Sequence, residues 1–165
     1  DSFKRNLNLY ILSEDFDRKL TTSSQILKNN IKVWLNQYRM LNDTLDILDP
    51  RIINIKISFV AVVDYSQEKL EALNIAITEI QSMFREQLDI GQPIYITKIY
   101  DVLNNLDEIV DVTHVKIENA TGSNYSDETI NLSQYMSADG RILYAPENVI
   151  YELKYPNLDI KGTIK

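Results

Sequence analysis

An α+β fold, a mixed sheet with helices packed on one face, is what the order of patterns along this chain predicts. Three observations carry that expectation. Two long segments place apolar residues at the alternating three-and-four spacing of a helix face. The stretch from Arg51 to Val63 is dense in β-branched residues and reads as a strand. The sequence of patterns, β-α-β-β-α-α-β, then suits a sheet with helices laid on one side.

The first element is a strand from Leu7 to Leu12, with Leu7, Leu9 and Ile11 on one face. A polar stretch from Ser13 to Lys19 bridges to a helix, for which Thr21, Thr22, Ser23 and Ser24 are candidate N-caps. Leu27, Ile31, Trp34, Tyr38 and Leu41 recur along that helix as one stripe, which predicts a buried face with Trp34 in the core. Thr44 to Asp49 is a short strand ended, or confined to an edge, by Pro50. In the strand at 51–63, Ile53, Ile55, Ile57, Phe59, Ala61 and Val63 share one face. Asn54, Lys56 and Ser58 lie on the other, so the first half is expected to be half-exposed and the second buried on both sides.

Ser66 is the expected cap of the next helix, whose stripe is Leu70, Leu73, Ile77, Ile80 and Phe84, extended by Leu88. Gly91 and Pro93 stop it. Thr97 caps a short helix carrying Ile99, Leu103 and Leu106. A strand from Ile109 to Ile117 switches apolar parity between Val110/Val112 and Val115/Ile117, which predicts a bulge or a late strand start. Beyond Glu118 the chain is loop-like to Asp127, then carries short extended pieces at Ile130–Leu132, Arg141–Ala145, Val149–Lys154 and Leu158–Ile164. The expected division is a small β-α-β unit at 1–49, a β-α-α-β unit at 50–118 and a strand-rich arm at 119–165. The arm is too short to close its own core, so it must pack on the preceding domain or on another chain.

Composition removes most enzyme chemistries. With 165 residues, no Cys, one His and four scattered Gly, thiolate metal sites, multi-histidine sites and phosphate-cradling loops are excluded. The formal charge is −7, and no segment clusters Lys and Arg as a nucleic-acid or anionic membrane surface requires. The longest wholly apolar run, Phe59 to Val63, falls far short of the roughly 20 residues of a membrane helix. An Asp at position 1 and no signal-peptide pattern predict a fragment of a longer chain or a processed product. The four Asn-x-Ser/Thr triplets, at Asn42, Asn119, Asn124 and Asn131, are read as chance in a chain this rich in those residues.

Carboxylates are numerous, but neither Asp107, Glu108 and Asp111 nor Asp43, Asp46 and Asp49 nor Glu14, Asp15 and Asp17 fits a calcium loop. His114 lacks a neighbouring nucleophile. The expectation is therefore no catalytic residue, no cofactor, no metal and no small-molecule substrate. The ten Tyr are more informative. Tyr144, Tyr151 and Tyr155 fall in the arm, and in an extended Val149–Tyr155 segment Val149, Tyr151, Leu153 and Tyr155 share an apolar, aromatic face. Tyr144, Tyr151, Leu153 and Tyr155 are the expected partner-contact residues.

Two stretches resemble the baseplate J-like proteins of contractile phage tails. One runs from Trp34 through Leu41, Leu45-Asp46-Ile47 and Pro50 into the strand at 51–63; the other is Ile90-Gly91-Gln92-Pro93-Ile94 followed by Ile99, Leu103, Leu106, Val110 and Val112. The arm, Asp139 to Pro146 and Ile150 to Gly162, is similar to the C-terminal end of the baseplate wedge proteins of T4-like myoviruses. Asp111, where many J-like members have Gly, and Ala145-Pro146-Glu147-Asn148 depart from the pattern. The resemblance implies a structural subunit that associates with itself and with other baseplate wedge proteins in a ring around the hub. It would be assembled in the host cytoplasm, reside in the virion tail and transmit the contraction signal. The alternatives are a soluble non-viral adaptor or protein-binding module, and a tail-associated carboxylate-dependent glycosidase.

Overall fold

The computed structural model describes residues 5–38, 43–64, 68–86 and 88–165. The chain divides into two compact units, Asp1–Arg51 and Ile52–Lys165.

The first unit contains β1 (Arg5–Tyr10), β2 (Leu12–Glu14), β3 (Leu20–Thr22), α1 (Gln25–Leu35) and β4 (Asp43–Leu48). β1 and β4 pair in parallel, with Leu7 opposite Leu45 and Leu9 opposite Ile47. The polar bridge is an antiparallel hairpin of β2 and β3. Its turn is built by Asp15, whose Oδ1 accepts from the N–H groups of Asp17 and Lys19 at 2.9 and 2.8 Å, while Arg18 takes φ 60°. α1 begins at Ser24, one of the expected caps, whose Oγ accepts from the Leu27 N–H.

The expected burial of the α1 stripe is overturned. Leu27, Trp34 and Tyr38 are exposed, Ile31 is half-buried, and Leu41 lies outside the described residues. The residue that α1 buries is Lys28, which pairs with Asp49, and Lys32 lies 3.6 Å from Asp46. The lysine edge of the helix faces β4 and the segment after it, and its apolar arc faces water.

The second unit is built on β5 (Arg51–Val63), followed by α2 (Lys69–Met83), β6 (Ile94–Tyr95), α3 (Ile96–Asn104), β7 (Ile109–Asn119), α4 (Leu132–Tyr135), β8 (Ile142–Leu143), β9 (Val149–Glu152), α5 (Pro156–Asp159) and β10 (Ile160–Ile164). β5 is central, with β10 parallel on one side and β7 antiparallel on the other; β9 also pairs with β5. The sheet is mixed, and α2 and α3 pack against β10 and β7, an α+β arrangement. β6 and β8 form a separate short antiparallel pair.

On β5 the row Ile53, Ile55, Ile57, Phe59, Ala61 and Val63 is buried. On the opposite row Lys56 and Ser58 are as expected, but Asn54, Val60 and Val62 are not. Asn54 is buried, whereas Lys56, Ser58, Val60 and Val62 are half-exposed. Asn54 is covered because the chain leaving β7 folds over it: the Ala120 N–H donates to its carbonyl at 2.8 Å.

Ser66, the expected cap of α2, lies outside the described residues; the N-cap is Glu68, which makes no side-chain cap bond. α2 buries Ala72, Ala76 and Ile80, leaves Leu73 and Ile77 half-buried and exposes Leu70. The face is rotated toward its small residues, which admit a neighbouring backbone closely. α2 ends at Met83 with Phe84 at the C-cap, so Gly91 and Pro93 lie beyond the stop they were expected to make; Gly91 instead takes φ +77° in the loop that follows and donates its N–H to the Val149 carbonyl at 2.8 Å, tying that loop to β9. Thr97 sits inside α3 rather than capping it; the cap position is Tyr95, and Ile99 and Leu103 are fully buried.

β7 has two register shifts against β5, which skip Thr113 and Val110. They bring Ile109, Val112, Val115 and Ile117 to the core and leave Val110 exposed. The arm belongs to the second unit. Val149, Ile150, Tyr151 and Ile160 are buried there, Leu132 opens a helical turn, and Pro156 starts another before the last strand.

Candidate functional site

The four expected partner-contact residues do not share one face. β9 ends at Glu152 and the chain then turns into α5, so the two-residue alternation that would align Tyr155 with Tyr151 is broken. Tyr151 is 1% exposed and its hydroxyl donates to the Tyr144 carbonyl at 2.7 Å. Burial, with Tyr135 nearby, pushes its phenol up to about 12. Its ring is consumed by its own domain, which corrects the expectation of a surface contact there. Leu153 is half-buried against the same core. Tyr155 is half-buried at the start of α5, its ring edge-on to Tyr125 with centroids 5.5 Å apart. Tyr144, about half exposed, is the one of the four at the surface.

Behind these residues is a polar cluster that sequence reasoning missed. Asn54 donates from Nδ2 to Glu152 Oε2 at 2.7 Å and accepts at Oδ1 from the Ser126 N–H at 2.6 Å. Asp159, 2% exposed, accepts the Tyr125 hydroxyl at Oδ1 (2.5 Å) and the Tyr155 N–H at Oδ2 (2.8 Å). The Asp159 carboxylate, followed by burial, raises the Tyr125 phenol to about 12. Chemically the cluster is a fastener: each carboxylate holds groups of the chain itself, and the loop at 120–128 is pinned from both ends. The sequence carried no distinct signal for it, because Asn54 shares its row on β5 with Lys56 and Ser58.

The other carboxylates are also placed. Asp107 and Asp111 are both exposed, and Asp111 Oδ1 bonds the Val112 N–H. Asp46 and Asp49 face the lysines of α1, and Asp15 builds the β2–β3 turn. His114 is exposed opposite Val60. Among the described residues no three His, Cys, Asp or Glu side chains converge as a metal site, and no helix is long and apolar enough to cross a membrane.

The largest departure from ordinary surface chemistry lies on the first unit. Ile26, Leu27, Val33, Trp34 and Tyr38 stand in water, with the Trp34 and Tyr38 rings 4.9 Å apart at a tilt of 52°. An amphipathic helix with its apolar arc outward offers shape and desolvation to a partner rather than reactive groups to a substrate. No protein-family model matches the chain, and no curated protein does.

Proposed function

We propose that this chain is part of a structural subunit of a phage tail baseplate wedge of the J-like kind, joining copies of itself and other wedge proteins in the ring around the hub. It acts by packing and takes part in passing the contraction signal through the tail of the virion. The observation that carries the reading is the run of large apolar side chains left in water along α1, in a chain whose buried carboxylates are engaged in holding its own loops. The resemblance of the arm to wedge proteins supports it.

The test is localisation on the intact particle. Gold-labelled antibodies raised against this chain should decorate the end of the tail distal to the head in electron micrographs of the phage that encodes it. Particles that contain the chain by mass spectrometry but carry label on the capsid, or purified particles that lack the chain, would overturn the reading.

A further inference from the structure

We infer that the exposed arc of α1 is a self-association surface, and that its occupant is the same arc of a second copy of this chain. The inference rests on the assembly reading above and deepens it by naming the surface and what covers it. At 3.6 residues per turn, Ile26, Leu27, Val33 and Trp34 form one contiguous arc, and Tyr38 extends it in the turn that follows the helix. Their exposures are 75%, 42%, 65%, 58% and 70%.

Area supports a protein occupant of ordinary interface size. Side chains of this kind offer on the order of 150–250 Å² each when fully exposed, so the arc leaves roughly 600–700 Å² of apolar surface in water. That exceeds the roughly 300–600 Å² of the largest patch on a typical monomer. Two arcs face to face remove about 1,300 Å², within the range of about 1,200–2,000 Å² of a specific interface.

Charge selects the copy. The chain carries −7, so two copies repel unless they meet on a neutral face. α1 contains no acidic residue, and its two lysines point the other way, to Asp46 and Asp49. Between the apolar residues the arc holds only the amides of Asn30 and Gln37, which pair equally well with themselves across a twofold axis. A charged partner finds nothing to read there; an identical arc finds nothing to repel it.

Trp34 is the single tryptophan of the chain, so its emission reports the arc directly. The 165-residue chain is followed by sedimentation equilibrium and by Trp34 fluorescence over a concentration series. The expected result is a mass rising from monomer to dimer, with a blue shift of Trp34 emission along the same curve. Ile26→Asp and Val33→Asp, both at exposed positions that leave Trp34 in place, should each weaken dimerisation at least tenfold with an unchanged circular dichroism spectrum. Leu158→Asp, at an exposed apolar position of the second unit, should leave it unchanged. Three results overturn the inference: a monomer at every concentration, a monomer whose Trp34 already emits as a buried indole, or a dimer that both α1 variants retain. The outcome is separable from particle labelling, because a dimer can form through α1 in a chain that never reaches a tail.

Discussion

Gly162→Ala adds one methyl group and should cost about 2 kcal/mol, because of where β10 runs. Gly162 lies opposite Phe59 in the parallel pair of β10 and β5, on the side that α2 covers. A Cβ built on Gly162 falls against Phe59 Cζ and Leu73 Cδ1 closer than real Cβ atoms come, and 2.9 Å from Phe59 Cε1. Leu73 is half-buried and can change rotamer. Phe59 is 1% exposed and cannot, since its ring is enclosed by a close-packed core. Overpacking of this kind costs about 1–3 kcal/mol, and a fixed ring puts it at the upper end. The backbone adds no penalty, because Gly162 is not among the positive-φ residues. Ala also restricts the unfolded chain, which returns about 0.4–1 kcal/mol. The net loss should appear as a fall in Tm of roughly 4–8 °C, measured by circular dichroism. Phe59→Leu gives the same methyl room, so the double variant should be more stable than the two single losses predict when added. A Gly162→Ala protein as stable as the parent, or a cycle with no coupling, would refute the claim that the ring of Phe59 is what excludes a side chain.

Three further outcomes follow from the polar cluster and the arm. Asn54→Asp replaces a donor 2.7 Å from Glu152 by a second carboxylate, and should cost about 3–5 kcal/mol in urea unfolding near neutral pH, with part of the loss recovered in acid as the pair takes up a proton. Tyr125 is held protonated in the native state, up to about 12 against 10.0 for the free phenol. Its contribution is therefore complete below pH 10 and lost as pH rises toward 12, and Tyr125→Phe should make alkaline unfolding less steep over that window. Tyr151→Ala should destabilise the chain by about 3–5 kcal/mol in denaturant unfolding, as loss of a buried aromatic does, whereas Tyr144→Ala, at a half-exposed ring, should stay within about 0.5 kcal/mol of the parent.

The elements that were legible in the sequence are those whose pattern and partner lie within one unit. The long strand at 51–63 needs only its β-branched run to be recognised, and the irregularity at Thr113 shows as a switch of apolar parity, whereas the one at Val110 was not legible because Val110 and Val112 read as one face. The β2–β3 hairpin was hidden because its strands are three residues each and its turn depends on the Asp15 side chain and on Arg18 at positive φ, neither of which leaves an apolar signature. The reversal along β5 has a different origin. Asn54 reads as a solvent-facing residue by alternation alone; what buries it is a loop some 70 positions later, anchored at 72 residues' separation by the Ser126 N–H.

Periodicity tells that a face is apolar, but not what covers it, and the two candidate contact surfaces divide on that point. The arm and α1 each present aromatic residues in an apolar row, so the sequence offers no ground for treating them differently. The arm is resolved by a neighbour in its own unit: β9 pairs with β5, which draws Val149 to Glu152 into the sheet and consumes Tyr151. Within its own unit α1 packs on β4, one strand of a two-stranded parallel pair, which presents Asp46, with Asp49 just beyond, to the helix. Two lysines answer them, and the apolar arc lies on the other side of the helix. Trp34 and Val33 thus stand outward on a regular helix whose backbone is already hydrogen-bonded. A contact made by such a face needs little further ordering of the backbone, which is the condition under which apolar area is turned into affinity.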